Sequence, residues 1–192
     1  MRLPPLPTPA PIDAPGRVVG DRPAQVTKPI TIGAYDPDWP ARFRREQARV
    51  RAALGAAALA IDHVGSTAVP GLAAKDRVDI DLIVADPADE DTYVPALTEA
   101  GYRLATREPH WYEHRCFWNA NHDVNLHVFG PDCDEHLRHL ILRDWLRAHP
   151  DDRDRYEAGK RAAAAANPMS MSGYVAGKAD VILDILRRAG LS

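Results

Sequence analysis

The sequence predicts a protein of the α/β (α+β) class, in which a mixed β-sheet is flanked by helices and the C-terminal part is helical. Two observations carry this prediction. Apolar runs of strand length occupy the middle of the chain with one helical segment among them, and helical patterns follow Pro131 to the end. The length of 192 residues and the hydrophobic content of 45% suffice for a domain with a buried core.

The N-terminal segment is set apart by its prolines. Eight of the seventeen prolines lie within the first 29 residues, and proline is excluded from helix interiors and central strands. We therefore predict an extended, polyproline-like tail over residues 1–28 and one domain over residues 29–192. A tail docked as an arm along the domain surface is the alternative that the sequence leaves open.

The elements of the domain follow one another with recognisable boundaries. A first helix runs from Asp38, which can cap it, to Gly55, which ends it. A second helix is predicted over residues 89–101. Strands are predicted at residues 59–64, 78–84, 102–107, 111–118 and 124–129, and the C-terminal helices at 134–149, 151–166 and 172–189.

Composition excludes several classes of protein. The net charge of −3 is too small to favour bulk nucleic-acid binding, so nucleic acid is an unlikely partner. The two cysteines, Cys116 and Cys133, do not form a disulfide framework, which favours a reducing compartment. The sequence has no apolar run of membrane-spanning length and no secretory signal, so we expect a cytoplasmic protein without a membrane partner. The oligomeric state stays open.

Two aspartates interrupt the apolar strand at residues 78–84. Asp79 and Asp81 are two residues apart and share one face, whereas Ile80, Leu82 and Val84 fill the other face. Neighbouring carboxylates repel each other unless something binds them. A divalent cation, Mg²⁺ (or Mn²⁺), removes that repulsion and is held by one or two carboxylates together with substrate phosphates. The alternative is that both aspartates are merely solvated.

A Gly-Ser turn precedes the acidic strand. The backbone N–H groups at Gly65 and Ser66, with the serine hydroxyl, form a candidate phosphate cradle. Residues 67–78 separate this turn from the two aspartates. A phosphate cradle beside a two-carboxylate metal site is the arrangement that in-line nucleotidyl transfer requires.

These motifs resemble the signature of the nucleotidyltransferase superfamily, and more closely the GrpB family within it. The resemblance extends from about Ile30 to the C-terminus. It rests on Tyr35–Phe43 (YDPDWPARF), Asp62–Lys75 (DHVGSTAVPGLAAK), Asp79–Val84 (DIDLIV), Asn125–Phe129 (NLHVF), Leu142–Pro150 (LRDWLRAHP) and Gly173–Leu186 (GYVAGKADVILDIL). The resemblance implies a nucleotidyltransferase-like fold. It also implies an enzyme that uses the metal held by Asp79 and Asp81 to transfer a nucleoside monophosphate from a nucleoside triphosphate to a small-molecule acceptor.

The sequence departs from this pattern where the superfamily commonly supplies a third carboxylate. The matching strand, residues 124–129, has no Asp or Glu in its middle, and Asn125 differs from the family pattern. His127 is the candidate metal ligand or general base, with a structural histidine as the alternative. Asp123, at the start of the strand, is the next candidate. A second departure, Arg77, places a cation close to the carboxylates.

Further cations are candidates for nucleotide and phosphate binding. Lys75 lies between the Gly-Ser turn and the acidic strand, and Arg143 belongs to the LRDWLRAHP motif. Tyr174 and Lys178 are four residues apart and share a helix face, so a ring and an ammonium group can flank a nucleotide. The alternatives are a solvated lysine at position 75 and a packed tyrosine with a snorkelling lysine at 174 and 178.

Two weaker patterns combine cysteine with histidine. Cys133, His136 and His139 have a spacing that permits zinc binding. His114 and Cys116 share a strand face, but no acid in the sequence orients them, so packing is the preferred interpretation.

The missing carboxylate favours a catalytically degenerate binding module for a nucleotide or small molecule. A metal-assisted ligase or hydrolase on the same scaffold is the other alternative.

Overall fold

The computed structural model describes residues 3–7, 19 and 28–192, and its centre is one mixed β-sheet. The strands are β1 (Ala60–Val64), β2 (Val78–Ile83), β3 (Tyr102–Glu108), β4 (His114–Asn119) and β5 (Val124–Phe129). Their order across the sheet is β1-β2-β5-β4-β3. β2 and β5 run parallel, and the other neighbouring strands are antiparallel. The predicted mixed sheet is therefore confirmed.

Helices flank this sheet and form the C-terminal part, as predicted. They are α1 (Trp39–Leu54), α2 (Val94–Glu99), α3 (Asp134–Ala148), α4 (Pro150–Ala166), α5 (Met171–Gly177) and α6 (Ala179–Arg188). Within the described ranges, none of the helices combines the length and the apolar content needed to cross a bilayer.

The main core lies between one face of the sheet and helices α1 and α2. Ile80 and Leu82 of β2 and Leu126 and Val128 of β5 are completely buried there. Side chains of both helices, among them Val50 of α1, complete this cluster. The alternation along β2 and β5 places Asp79 and Asp81, and beside them Asn125 and His127, on the other face, which confirms the predicted orientation of the acidic strand.

The C-terminal helices hold the long segment that connects β1 to β2. Val69 and Leu72 of this segment pack against α3, α4 and α6 through a second apolar cluster. Lys160 of α4 is buried and donates a hydrogen bond to the carbonyl oxygen of Ala73. These contacts fix the connecting segment, and with it the Gly-Ser turn, against the polar face of the sheet.

Three sequence-based details were wrong. Asp38 precedes α1 without a capping hydrogen bond from its side chain, which pairs with Arg45 instead. The fourth strand begins at His114, because Tyr112 and Glu113 have positive φ angles of 57° and 49° and form a turn. The last predicted helix is two helices, since the chain leaves regular helical geometry at Lys178 (φ −103°, ψ −1°).

Part of the predicted N-terminal tail lies against the domain. The carbonyl oxygen of Pro5 accepts a hydrogen bond of 2.8 Å from Arg138 of α3, and the amide of Leu6 donates to the carbonyl oxygen of Ser192 at 3.3 Å. These contacts favour a docked arm for residues 3–7. Most of the remaining tail falls outside the described residues, so the division into tail and domain stays a prediction.

Truncation of the central core leucine tests this packing. We expect Leu126→Ala to lower the free energy of unfolding by about 2–5 kcal/mol, because it opens a cavity in the centre of the sheet. Leu59→Ala is the matched control: Leu59 is 54% exposed, and its truncation should change stability by less than about 0.5 kcal/mol. Urea denaturation of both variants measures the difference, and equal losses would contradict this description of the core.

Candidate functional site

The polar face of the sheet gathers the acidic residues singled out in the sequence. Asp79 and Asp81 of β2 both lie on it. Across the sheet, Asp81 pairs with Asp62 of β1 on one side and with His127 of β5 on the other. Asp79 pairs in the same way with Asn125 of β5. The parallel pairing of β2 with β5 therefore brings His127 next to both predicted metal ligands.

Asp81 is the most buried acid of this cluster. Its side chain is 0% exposed, and Oδ2 accepts hydrogen bonds of 2.9 Å from Nδ1 of both His136 and His139 on α3. Burial raises the pKa of Asp81, but the two histidines lower it by a larger amount, so this pKa lies well below its usual range. Within the described part of the chain, Oδ1 is buried and has no hydrogen-bond partner. Among the described residues it is the one buried side-chain nitrogen or oxygen without a hydrogen-bond partner.

Asp79 is more accessible and has different neighbours. Its Oδ1 accepts a 2.7 Å hydrogen bond from Nδ2 of Asn125 and lies 3.9 Å from Nε2 of His127. Burial raises the pKa of Asp79, but His127 and Asn125 together lower it to about 2. Asp79 is thus ionised at neutral pH. Asn125, which lies on the strand where a third carboxylate was expected, orients Asp79 through this hydrogen bond.

His127 ends a chain of buried side chains that the sequence did not reveal. Its Nδ1 lies 3.0 Å from Nε2 of His114, and Nδ1 of His114 lies 2.6 Å from Oε2 of Glu108. Burial lowers the pKa of His114 to about 4. Burial also lowers the pKa of His127, but neighbours that include Cys116 and Asp79 raise it well above its usual value. The expectation that no acid orients His114 was therefore wrong, because Glu108 does so.

The Gly-Ser turn closes directly onto Asp79. Gly65 has a φ of 68°, and a Cβ atom at this position would lie 2.5 Å from Oδ2 of Asp79. Ser66 then begins a single turn of 3₁₀ helix that ends at Ala68. Only glycine combines this backbone conformation with so close an approach, so the turn and the acidic strand form one site.

Three of the predicted nucleotide-binding residues meet beside this turn. The Nζ atoms of Lys75 and Lys178 lie 5.1 and 5.3 Å from the centre of the Tyr174 ring. Burial lowers the pKa of Lys75 to about 8, and the nearby positive charge of Lys178 acts in the same direction. Among the described residues, neither lysine forms an ion pair with a carboxylate. A ligand anion would relieve the repulsion between the two.

Arg143 lies apart from the two lysines, at the β1 side of the acids. Its Nη1 donates to the carbonyl oxygen of His63 at 3.0 Å and lies 3.9 Å from Oδ1 of Asp62. Nε and Nη2 form a fork with the Asp144 carboxylate at 2.8 and 3.0 Å. Arg143 therefore borders the acidic row but already has partners for its guanidinium.

The two departures from the family pattern also have partners. Arg77 donates to Oδ1 of Asn125 at 3.4 Å and lies 5.9 Å from the Trp118 ring centre. Asp123 accepts a 2.5 Å hydrogen bond from Nδ2 of Asn119 and lies 3.6 Å from Arg42. Because Asp123 is engaged at the end of the sheet, His127 is the better placed of the two candidates.

The weak pattern whose spacing permits zinc binding does not form a metal centre among the described residues. Cys133 packs in an apolar cluster with Ile83 and Phe129, while His136 and His139 bind Asp81 instead. Over the residues that the structure describes, no group of three or more His, Cys, Asp or Glu side chains is arranged to hold a metal ion. A cation here would need ligands from a substrate or from water in addition to the carboxylates.

The fold and this face define the class of the protein. A mixed sheet flanked by helices, with acids on one strand beside a glycine turn, is consistent with the nucleotidyltransferase-like fold. The family described as "GrpB protein" matches residues 29–188, and the chain belongs to this family. A crystal structure of the conserved protein GrpB from Enterococcus faecalis has the same fold, with a TM-score of 0.72 and 27% identity over 82% of this chain and 98% of that one.

Other relatives include proteins named UPF0157 and longer proteins with a different name. The UPF0157 protein of Halalkalibacterium halodurans is 49% identical over 83% of this chain and 82% of its own length. A dephospho-CoA kinase of Mycolicibacterium paratuberculosis is 34% identical, and the match covers 84% of this chain but only 46% of the kinase. The name of that kinase describes a protein about twice the size of the matched region.

A pair of glycine substitutions tests the close approach of the turn to Asp79. Gly65 and Gly55 both have positive φ angles, but nothing lies within 4 Å of a Cβ at Gly55. We expect Gly65→Ala to lower the free energy of unfolding by about 1–3 kcal/mol more than Gly55→Ala, because only the former overpacks the site. Gly65→Ala should also shift the side-chain amide resonance of Asn125, which binds Asp79. If the two variants behave alike, the turn does not touch Asp79.

The pH dependence of stability tests the pairing of His139 with Asp81. Burial lowers the pKa of His139, but Asp81 and Glu135 raise it overall from 6.5 to about 10. A group whose pKa is raised in the folded state stabilises the fold fully at pH values below its unfolded-state pKa. This stabilisation is lost as the pH rises through the folded-state pKa.

We therefore expect the melting temperature of the wild type to exceed that of His139→Gln by a constant margin below about pH 6.5 and by a shrinking margin towards pH 10. The melts are recorded in EDTA, so that no metal competes for Asp81. Exposed His110→Gln serves as the control and should match the wild type. A margin that grows between pH 7 and pH 10 would show that His139 is not held as a cation.

Proposed function

We propose that this chain is a cytoplasmic, metal-dependent nucleotidyltransferase that transfers a nucleoside monophosphate from a nucleoside triphosphate to a small-molecule acceptor. The observation that carries the proposal is the buried Oδ1 of Asp81, which has no partner among the described residues. Leaving a charged oxygen buried and unpaired is costly. A cation bound between it and Asp79 would remove that cost.

The carboxylates suit Mg²⁺ (or Mn²⁺) better than a metal that needs a complete set of protein ligands. Asp81 offers Oδ1, and Asp79 offers Oδ2, which faces the Gly65 turn. Mg²⁺ typically takes one or two carboxylates and fills its octahedron with phosphate oxygens and water. When bound, the metal would neutralise charge on the phosphates during transfer.

The cationic side chains divide the site into a phosphate end and an acid end. Lys75 and Lys178 attract the phosphates, whereas the Tyr174 ring is buried and packs beside both lysines, as in the packed-tyrosine alternative. The backbone at Gly65 and Ser66 adds N–H donors next to Asp79. Arg143 borders the same row at Asp62 and assists through its charge.

His127 is the proposed base for the acceptor. In the transfer step, the acceptor hydroxyl oxygen bonds to the α-phosphorus, and the bond to the bridging oxygen breaks. Pyrophosphate leaves with that electron pair, and Nε2 of His127 takes the hydroxyl proton. Asn125 cannot accept a proton at neutral pH. Neutralising the charge of Asp79 removes one of the attractions that raise the pKa of His127 and shifts the imidazole towards its neutral, basic form.

A second function, a binding module without transfer, has one specific observation in its favour. The middle of β5 contributes Asn125 instead of a carboxylate, and the amide binds Asp79. A site with two carboxylates can still hold a metal and a nucleotide, while transfer is slow or absent. A metal-assisted ligase or hydrolase would use the same residues, and its products would distinguish it.

Calorimetric titration with Mg²⁺ and each nucleoside triphosphate tests the binding site. We expect binding to the wild type and loss of at least about tenfold in affinity for the double variant Asp79→Asn, Asp81→Asn, since the amides remove both negative charges. Asp91→Asn, on the exposed turn before α2, is the control and should bind like the wild type. Unchanged binding by the double variant would move the site elsewhere.

Steady-state turnover separates the two functions. His127→Ala should lower turnover by roughly a hundredfold or more, the usual scale for a lost general base, and leave nucleotide binding intact. His110→Ala is the matched control for removal of an exposed histidine. An active His127→Ala enzyme would exclude His127 as the base. If the wild type binds Mg²⁺–nucleotide but consumes none with any acceptor offered, the binding module is the correct description.

A further inference from the structure

We propose that Glu108 and His114 are positioning residues for His127, which hold its Nδ1 protonated and present its Nε2 to Asp79 and to the acceptor. The inference deepens the proposed function, on which it rests, by assigning roles to two residues outside the motifs that carry the family resemblance. Its basis is the continuous contact from the Glu108 carboxylate through the His114 ring to the His127 ring.

The sheet itself places the three residues in line. Glu108 at the end of β3 pairs directly with His114 at the start of β4. His127 lies on the adjacent strand β5, where it pairs with Cys116, two residues after His114 on the same face of β4. The turn between β3 and β4 is closed by backbone hydrogen bonds from Trp111 to Glu108 and from His114 to Trp111. The strand pairing therefore places the Glu108 carboxylate directly opposite the His114 imidazole.

Packing holds the His114 ring in one orientation. Its side chain is 5% exposed and that of Glu108 is 4% exposed. The ring of His114 stacks on Phe129 with the centroids 4.8 Å apart, and the Trp111 ring meets it edge to face at 5.2 Å. The His127 ring lies nearly parallel to it, also at 5.2 Å. A ring confined in this way cannot turn to exchange its two nitrogens.

The direction of the hydrogen bonds follows from the donors available. An ionised carboxylate only accepts, so Nδ1 of His114 must carry the proton that faces Glu108. A neutral imidazole has one donor and one acceptor nitrogen, which leaves Nε2 of His114 as an acceptor. The low pKa of His114 agrees with a neutral ring. Nδ1 of His127 must then donate, whether His127 itself is neutral or charged.

The consequence is that only one nitrogen of His127 can exchange a proton with a ligand. Nδ1 is committed to His114, and Nε2 faces Oδ1 of Asp79 at 3.9 Å. Without Glu108 and His114, a neutral His127 can carry its proton on either nitrogen. The tautomer with its proton on Nε2 cannot accept a proton at Nε2 and so cannot act as a base. Glu108 and His114 thus act through His127, without touching the substrate.

Nitrogen NMR of the full-length protein tests this directly, with ¹⁵N-labelled histidine and no substrate. The spectra are recorded at a pH high enough to leave His127 neutral, because its neighbours raise its pKa. In the wild type we expect a protonated Nδ1 in both His114 and His127. His114→Phe keeps the stacked ring but removes the acceptor, so His127 should show a protonated Nε2 in a mixture of tautomers. Glu108→Ala should have the same effect on His114. Glu113→Gln, in the same turn but outside the chain of contacts, is the control and should leave both rings unchanged.

Two results would overturn the inference: a bare Nδ1 on His114 in the wild type, or an unchanged His127 spectrum in a folded His114→Phe protein. The same variant is then assayed for turnover, where loss of a group that orients a functional histidine typically costs roughly 10- to 100-fold. We expect that loss in kcat, with KM for the nucleoside triphosphate unchanged. If His114→Phe retains the kcat of the wild type, the positioning role is refuted, but the proposed transfer reaction is not. The expected tautomers in a wild type that consumes no nucleotide would instead refute the proposed transfer.

Discussion

The burial of Asp81 is the constraint on which the rest of the site depends. A carboxylate with 0% exposure in the middle of a sheet needs cationic partners. Helix α3 supplies His136 and His139, and both bind the same oxygen. This arrangement anchors α3 on the polar face and leaves the second oxygen of Asp81 without a partner among the described residues. The position of α3 and the free oxygen thus follow from one buried charge.

The charges around this carboxylate are separated along the sheet. Acids and histidines occupy β1, β2 and β5, whereas Lys75 and Lys178 lie on the connecting segment and at the junction of α5 and α6. The glycine turn joins the two regions, because Gly65 allows the segment to touch Asp79. A ligand with a metal-bound polyphosphate has the matching distribution of charge, and this complementarity links the fold to the proposed function.

Much of the fold could be predicted from local patterns, and less of the site. The alternation along β2 and the Gly-Ser turn indicated Asp79, Asp81 and Gly65, and the four-residue spacing placed Tyr174 with Lys178. Asp62 and Glu108 could not be found in this way, because they join the site only through strand pairings that sequence spacing does not fix. The spacing of His136 from Cys133 only permits zinc binding. The buried charge of Asp81 competes for that histidine, and no local pattern shows this.

The central claim is that Asp79 and Asp81 bind the metal of a metal–nucleotide complex. A crystal structure with Mn²⁺ and a non-hydrolysable nucleoside triphosphate tests it most directly, since manganese can be located by its anomalous scattering. The account predicts a manganese peak within about 2.5 Å of Oδ1 of Asp81 and Oδ2 of Asp79, with phosphate oxygens completing its coordination. A nucleotide bound elsewhere, or a metal that contacts neither carboxylate, would contradict it.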